Sequence, residues 1–233
     1  MLVDNLLACE YNESRVIREV IMQYFILFLE IMGTAAFAVS GAVTALKHKM
    51  DIFGVCVMGI TTATGGGVIR DIILGRTPPQ MFNDSKYVVV ALVMSIIIFF
   101  PFFRHFLTAN KKIYDTVLLV TDSAGLGIFT VYGVKVAIDA GHGDNTFLVL
   151  FVALVTGVGG GVLRDIFAQD MPYIFVKHIY ACAALAGAVL CKCLWGVAGQ
   201  SVSMICGLLL IIVIRLLSAK YKLSLPKATD VDL

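Results

Sequence analysis

Two matched strings in this chain combine residue types that could do chemistry. Thr62, Ala63, Thr64, Gly65, Gly66, Gly67, Val68, Ile69, Arg70 and Asp71 return 94 positions later as Thr156, Gly157, Val158, Gly159, Gly160, Gly161, Val162, Leu163, Arg164 and Asp165. The register continues, with Ile72 falling on Ile166 and Pro78 on Pro172. A glycine triplet and an Arg-Asp pair agreeing at one offset mark a duplicated unit. Each helix-interior glycine costs about 1 kcal/mol relative to alanine, so three in a row mark a helix that is easily opened or bent. Where such a helix unwinds, backbone carbonyls lose their partners and need water or an ion to satisfy them. The chemistry open to that constriction is passage of a cation. The plainer use of the same glycines is close approach of two helices.

Other polar groups sit within apolar runs. An arginine or aspartate at the centre of a membrane helix costs roughly 2.5 to 3.5 kcal/mol on insertion scales, so it faces the bundle interior or water. Glu30, Asp71, Asp115, Asp122 and Asp165 outnumber Arg70 and Arg164 in these runs, an excess that favours cations over anions. Each arginine points away from its neighbouring aspartate on a helix, and reciprocal pairing of Arg70 with Asp165 and of Arg164 with Asp71 suits the duplication. Thr62 and Thr156 are equivalent, with Ser40, Thr61 and Thr64 as further hydroxyls. Each either lines the narrow zone or bonds the carbonyl one turn back.

The elements that position these residues are membrane spans. With 59% hydrophobic residues among 233 and a mean hydropathy of +0.92, the chain far exceeds the apolar content of soluble domains. About 20 apolar residues cross the hydrocarbon core, and seven runs qualify, near 25–46, 52–74, 87–103, 113–134, 146–168, 174–194 and 201–217. Residues 1–23 read as a polar, amphipathic lead-in without the basic start and cleavage site of a signal peptide. The repeats occupy 24–104 and 113–195, the seventh helix 198–218, and a polar tail 219–233. Three helices per repeat start the second copy on the opposite side of the membrane, so the repeats are inverted, with the second and fifth helices kinked at their glycines. Ten lysines and arginines on one side against six on the other place the N-terminus outside and the C-terminus in the cytoplasm of a cell inner (plasma) membrane protein. The ten include Lys177, Arg215 and Lys227, and Lys177 and His178 are placed to snorkel.

Several function classes are excluded. The net charge of +2 gives no reason for nucleic acid binding. There is no nucleophile elbow, zinc-protease motif or phosphate-binding loop, which argues against an enzyme. Cys191 and Cys193 lack the second pair that a zinc site needs, so no metal or cofactor is expected.

The sequence resembles a known family. Spans in a three-plus-three-plus-one order, Gly-Gly-Gly-x-x-Arg-Asp in helices two and five, and Ala-Val-Ser-Gly-Ala at 38–42 resemble the prokaryotic members of the trimeric intracellular cation (TRIC) channel family, a bacterial group also labelled glycine transporters. The match covers nearly all of 24–217. The resemblance implies a homotrimer in the lipid bilayer, each protomer with its own pore passing potassium or sodium, and a glycine hinge at Gly65, Gly66, Gly67, Gly159, Gly160 and Gly161. Animal members carry a basic lipid-binding cluster, where the middle of helix four here offers Asp122 and no lysine. A bound lipid and a permeant K+ or Na+ are the ligands the resemblance brings. The expectation is a monovalent cation channel; the alternative is an alternating-access transporter of a small solute such as glycine.

Overall fold

The computed structural model describes residues 2–176 and 179–223, and is all helical there. The lead-in is not a separate piece. Helix α1 runs from Leu2 to Lys47, and its Glu19–Lys47 portion is the first apolar span. Then follow α2 (Ile52–Ile73), a short α3 (Gln80–Asn83), α4 (Lys86–Phe99), α5 (Pro101–Ala109) and α6 (Lys111–Ala137). A π turn at Ile138–His142 leads into α7 (Thr146–Phe167), a short α8 (Tyr173–Val176), α9 (Tyr180–Leu194) and α10 (Gln200–Tyr221). Five of the seven expected runs each form one continuous helix, whereas 87–103 divides into α4 and α5, and 174–194 holds α8 and α9. Five helices are long and apolar enough to cross a bilayer, and α4 with α5 makes a sixth candidate bent by 72°. Helix α9, at 15 residues, would rise only about 22 Å against a core of about 30 Å. Lys177, His178 and the tail from residue 224, Lys227 included, lie outside the described residues.

The two repeats share their terminal chemistry. Helix α2 is capped by Asp51, whose side chain accepts from Gly54 N at 2.7 Å, and α7 by Asn145, which accepts from Leu148 N at 3.0 Å. Each of these helices ends in a left-handed residue, Gly75 at φ 68° and Gln169 at φ 58°. Just beyond, Arg76 N donates to Asp71 O and Asp170 N to Asp165 O. The two chains of backbone bonds correspond one for one.

At the centre, α2 crosses α7. Both helices run through their triplets without interruption, and none of the six triplet glycines has a positive φ. The opened helices expected from three consecutive glycines are therefore not formed. The reason is packing: a Cβ on Gly66 would lie 2.4 Å from Thr156 O, and one on Gly160 would lie 2.1 Å from Thr62 O. The backbones touch where side chains are missing, and neighbouring turns hold each helix wound. Helix α1 packs on α2, α4 and α6, whereas α10 packs on α9 and α6 alone among the more extensive contacts. So the seventh span covers the second repeat, and among the described residues the first repeat has no counterpart to it.

Lys47 and His48, at the end of α1, meet Asp170 in the turn after α7 at 3.0 and 3.1 Å. Burial pushes the Asp170 carboxyl up, but the hydrogen bonds and charges of Lys47 and His48 outweigh it and hold the group below its usual range. Its stabilisation is fully present above the unfolded carboxylate value of about 3.9 and is lost as pH falls through the lower folded value. Moving from about pH 5 to about pH 3 should therefore lower the melting temperature of the wild type more than that of Asp170→Asn. Equal losses would show that this tie does not titrate.

Overpacking a core typically costs roughly 1 to 3 kcal/mol, so Gly160→Ala should destabilise the folded chain. Gly67→Ala, whose Cβ would find its nearest neighbour, Arg70 Nη2, at 3.7 Å, should be neutral or stabilising by the helix propensity of alanine. Thermal unfolding in detergent compares them, and equal behaviour would refute the contact.

Candidate functional site

The duplication sets up two polar sites, one on each side of the crossing. The offset of 94 holds in α2 and α7, but α1 and α6 correspond at 92, because the connection after α6 is two residues longer. Reciprocal contacts fix this register. A Cβ on Gly41 would meet Thr62 Oγ1 at 2.6 Å, and one on Gly133 would meet Thr156 Oγ1 at 2.9 Å. Likewise Gly33 lies against Phe129 and Gly125 against Phe37. Glu30 is thus the counterpart of Asp122, and Ser40 of Tyr132.

In the second repeat, Arg164 is fully buried and surrounded by acids. Its Nε donates to Asp165 Oδ1 at 2.8 Å and its Nη1 to Asp122 Oδ1 at 2.7 Å. Nη1 also donates to Ser40 Oγ, so α1 completes the site. The Tyr180 hydroxyl lies 3.3 Å from Asp122 Oδ1. From α10, Arg215 brings Nη2 to 3.5 Å from Asp122 Oδ2 and sets its guanidinium 4.6 Å from the centre of the Tyr180 ring. The second oxygen of Asp165 accepts from Tyr173 N, at the start of α8.

In the first repeat the same parts recur. Arg70 Nε donates to Asp71 Oδ1 at 2.8 Å, and Asp71 Oδ2 accepts from Gln80 N at the start of α3. Arg70 lies 5.2 Å from the centre of the Tyr132 ring. Tyr87 and Tyr132 stand around the same space as the Glu30 carboxylate. Here, however, a cavity of about 50 Å³ remains, lined by Glu30, Thr34, Thr64, Arg70, Asp71 and Tyr87 among others. That is room for roughly three or four waters.

The expected reciprocal ion pairs are replaced by pairs within each repeat. Arg70 and Asp165 lie on opposite sides of an antiparallel crossing, four and five residues beyond their respective glycines. At 1.5 Å per residue that separates them by about 13 Å along the helix direction. The long guanidinium instead folds back onto the adjacent carboxylate.

The hydroxyls behave in two ways. Thr62, Thr64 and Thr156 donate to Met58 O, Ile60 O and Val152 O one turn back, at 2.6, 2.8 and 2.6 Å. Of these Thr64 also lines the cavity, while Ser40 joins the Arg164 site and Thr61 is half-buried away from both. Gly67 lines the cavity; Gly65 packs against Leu163, and Gly159 and Gly161 face Gly66 and Tyr180. Asp115 is exposed and takes no part.

Sequence reasoning missed Arg215, Gln80 and the tyrosines. It placed Arg215 with the flanking charges, but Gly207, Ile211 and Arg215 recur every four residues along the buried face of α10. Tyr87 and Tyr180 were legible as a pair at an offset of 93.

The profile of the family described as Glycine transporter matches residues 27–102 and again 119–196, one match per repeat. The chain belongs to this family, the prokaryotic TRIC group. Among its relatives, the inner membrane protein YadS (UPF0126) of Escherichia coli is 35% identical over 202 residues, 85% of this chain and 94% of that one. A UPF0126 membrane protein of Deinococcus radiodurans is 37% identical over 69% of this chain and 72% of its own. The TRIC trimeric intracellular cation channel orthologue from Rhodobacter sphaeroides superposes with a TM-score of 0.78 at 32% identity, covering 85% of this chain and 99% of that one. A prokaryotic TRIC channel solved in 0.5 M KCl gives a TM-score of 0.79 at 30% identity, over 87% and 100%. These neighbours are channels, and relatives named as membrane proteins agree with the apolar spans here.

Asp122 serves two buried guanidiniums, whereas Arg215 serves one acid. Removing one partner of a buried ion pair costs roughly 3 to 5 kcal/mol, so Asp122→Asn should destabilise the fold severely. Arg215→Met, which leaves Asp122 on Arg164, should cost much less. Unfolding in detergent measures both, and equal costs would remove Asp122 from its shared role.

Proposed function

We propose that the chain forms a monovalent cation channel passing potassium or sodium, with one pore in each protomer of a homotrimer. One observation carries this reading. Among the described residues four acids are buried, Glu30, Asp71, Asp122 and Asp165, against three arginines, Arg70, Arg164 and Arg215. The excess acid, Glu30, lines the cavity. A low-dielectric chamber with one surplus negative charge attracts cations and repels anions. Support comes from the neighbours described as TRIC cation channels, whose architecture this chain shares.

The pathway we propose follows α1. Glu30, Thr34, Phe37, Ser40 and Thr44 recur at three- and four-residue spacing and so share one face. It leads from the first cavity to the Arg164 site. Phe37 interrupts the polar stripe, its ring tilted by 32° against that of its counterpart Phe129 with centroids 5.3 Å apart. This pair closes the path in the present conformation. The glycine triplets act as the pivot on which α2 and α7 shift, and Ser40, Thr61, Thr62, Thr64 and Thr156 supply hydroxyls along the opened route. The protein resides in the cell inner membrane, with the α1–α2 turn and the C-terminus on the cytoplasmic side.

A second reading, transport of a small solute such as glycine, is favoured by the cavity wall itself, where Arg70 and Glu30 offer opposite charges to a zwitterion. Flux separates the two. Liposomes holding the protein should release potassium at channel rates, and Phe37→Ala should raise that release severalfold. Saturable uptake of labelled glycine with no potassium release would overturn the channel in favour of the transporter.

A further inference from the structure

The two repeats differ by one cation. In the second, Asp122 and Asp165 are balanced by Arg164 and by Arg215, whose guanidinium sits between the Asp122 carboxylate and the Tyr180 ring. In the first, Glu30 and Asp71 face Arg70 alone. Arg215 arrives on α10, which packs against α6 and α9. No described helix covers the equivalent face of α1 and α4, so no side chain is delivered there.

What stands in that place is the cavity. It is bounded by Glu30 and Tyr87, the counterparts of the two groups that hold the Arg215 guanidinium. Glu30 is 8% exposed, and a buried carboxylate without a counter-charge is costly. Of the residues that line the cavity with it, Arg70 is the one basic side chain, and Arg70 is already paired with Asp71. The missing charge is therefore one that solution can supply.

We propose that this cavity is a binding site for a small planar organic cation of the guanidinium type, which takes the position that the Arg215 side chain holds in the other repeat. The Glu30 carboxylate accepts its N–H groups, the Tyr87 ring lies against its face, and Arg70 keeps anions out. The inference rests on the cavity and its internal counterpart, so it stands whether or not the pathway conducts.

Calorimetric titration of the purified, detergent-solubilised protein with millimolar guanidinium chloride tests it, against tetramethylammonium chloride at equal ionic strength. The wild type should bind guanidinium saturably at one site per chain, and Glu30→Gln should weaken that binding at least tenfold. Arg215→Ala should open the second copy of the site. Guanidinium should then bind twice per chain and restore part of the lost thermal stability. No saturable binding, or binding unchanged in Glu30→Gln, would overturn the proposal. A folded Arg215→Ala protein that binds no second guanidinium would overturn the equivalence on which the site is assigned.

Discussion

The contact between α2 and α7 governs this structure. Gly66 lies against the Thr156 carbonyl and Gly160 against the Thr62 carbonyl, a reciprocal approach that any side chain would prevent. Within lipid there is no hydrophobic drive between apolar helices, and close packing of small residues takes its place. Because the helices are antiparallel, meeting at the triplets sends the two Arg-Asp pairs to opposite sides. The crossing therefore fixes the inversion of the repeats and the separation of the two polar sites together.

Charge burial follows from that geometry. Each arginine sits near a helix end, folded onto its own aspartate, with that aspartate anchored to the first backbone N–H of a short helix. A second acid from α1 or α6 and a tyrosine from α4 or α9 complete each site. Buried ions persist only with such partners. Helix α10 then breaks the symmetry by adding Arg215 to one site and nothing to the other. A duplicated unit with one extra helix thus yields one cluster of two acids with two arginines and one cavity where two acids meet a single arginine.

The architecture was largely legible in the sequence, because apolar length, charge placement and the repeated triplet are local signals. The triplet also pointed to the right place, although both helices stay wound through it: glycine propensity favours opening, but a facing helix with its own glycines rewards close contact. The ion pairs were misassigned because residue spacing alone gives no depth; only the antiparallel crossing separates Arg70 from Asp165. Glu30 and Asp122 were named as candidates without being recognised as counterparts, since their offset of 92 differs from the 94 that the motif announces. Arg215 was read as a flanking charge because it lies near the end of an apolar run, and only the four-residue spacing to Gly207 reveals its face. Phe37 and Phe129 carried no signal beyond hydrophobicity.

In the function proposed above, a surplus buried carboxylate beside the helix crossing makes the route through each protomer selective for cations. The most direct measurement is the reversal potential of the reconstituted protein in a planar bilayer with a potassium chloride gradient. The account predicts a reversal potential close to the equilibrium potential of potassium, moving toward zero in Glu30→Gln. A reversal potential near that of chloride, or one unmoved by the substitution, would contradict it.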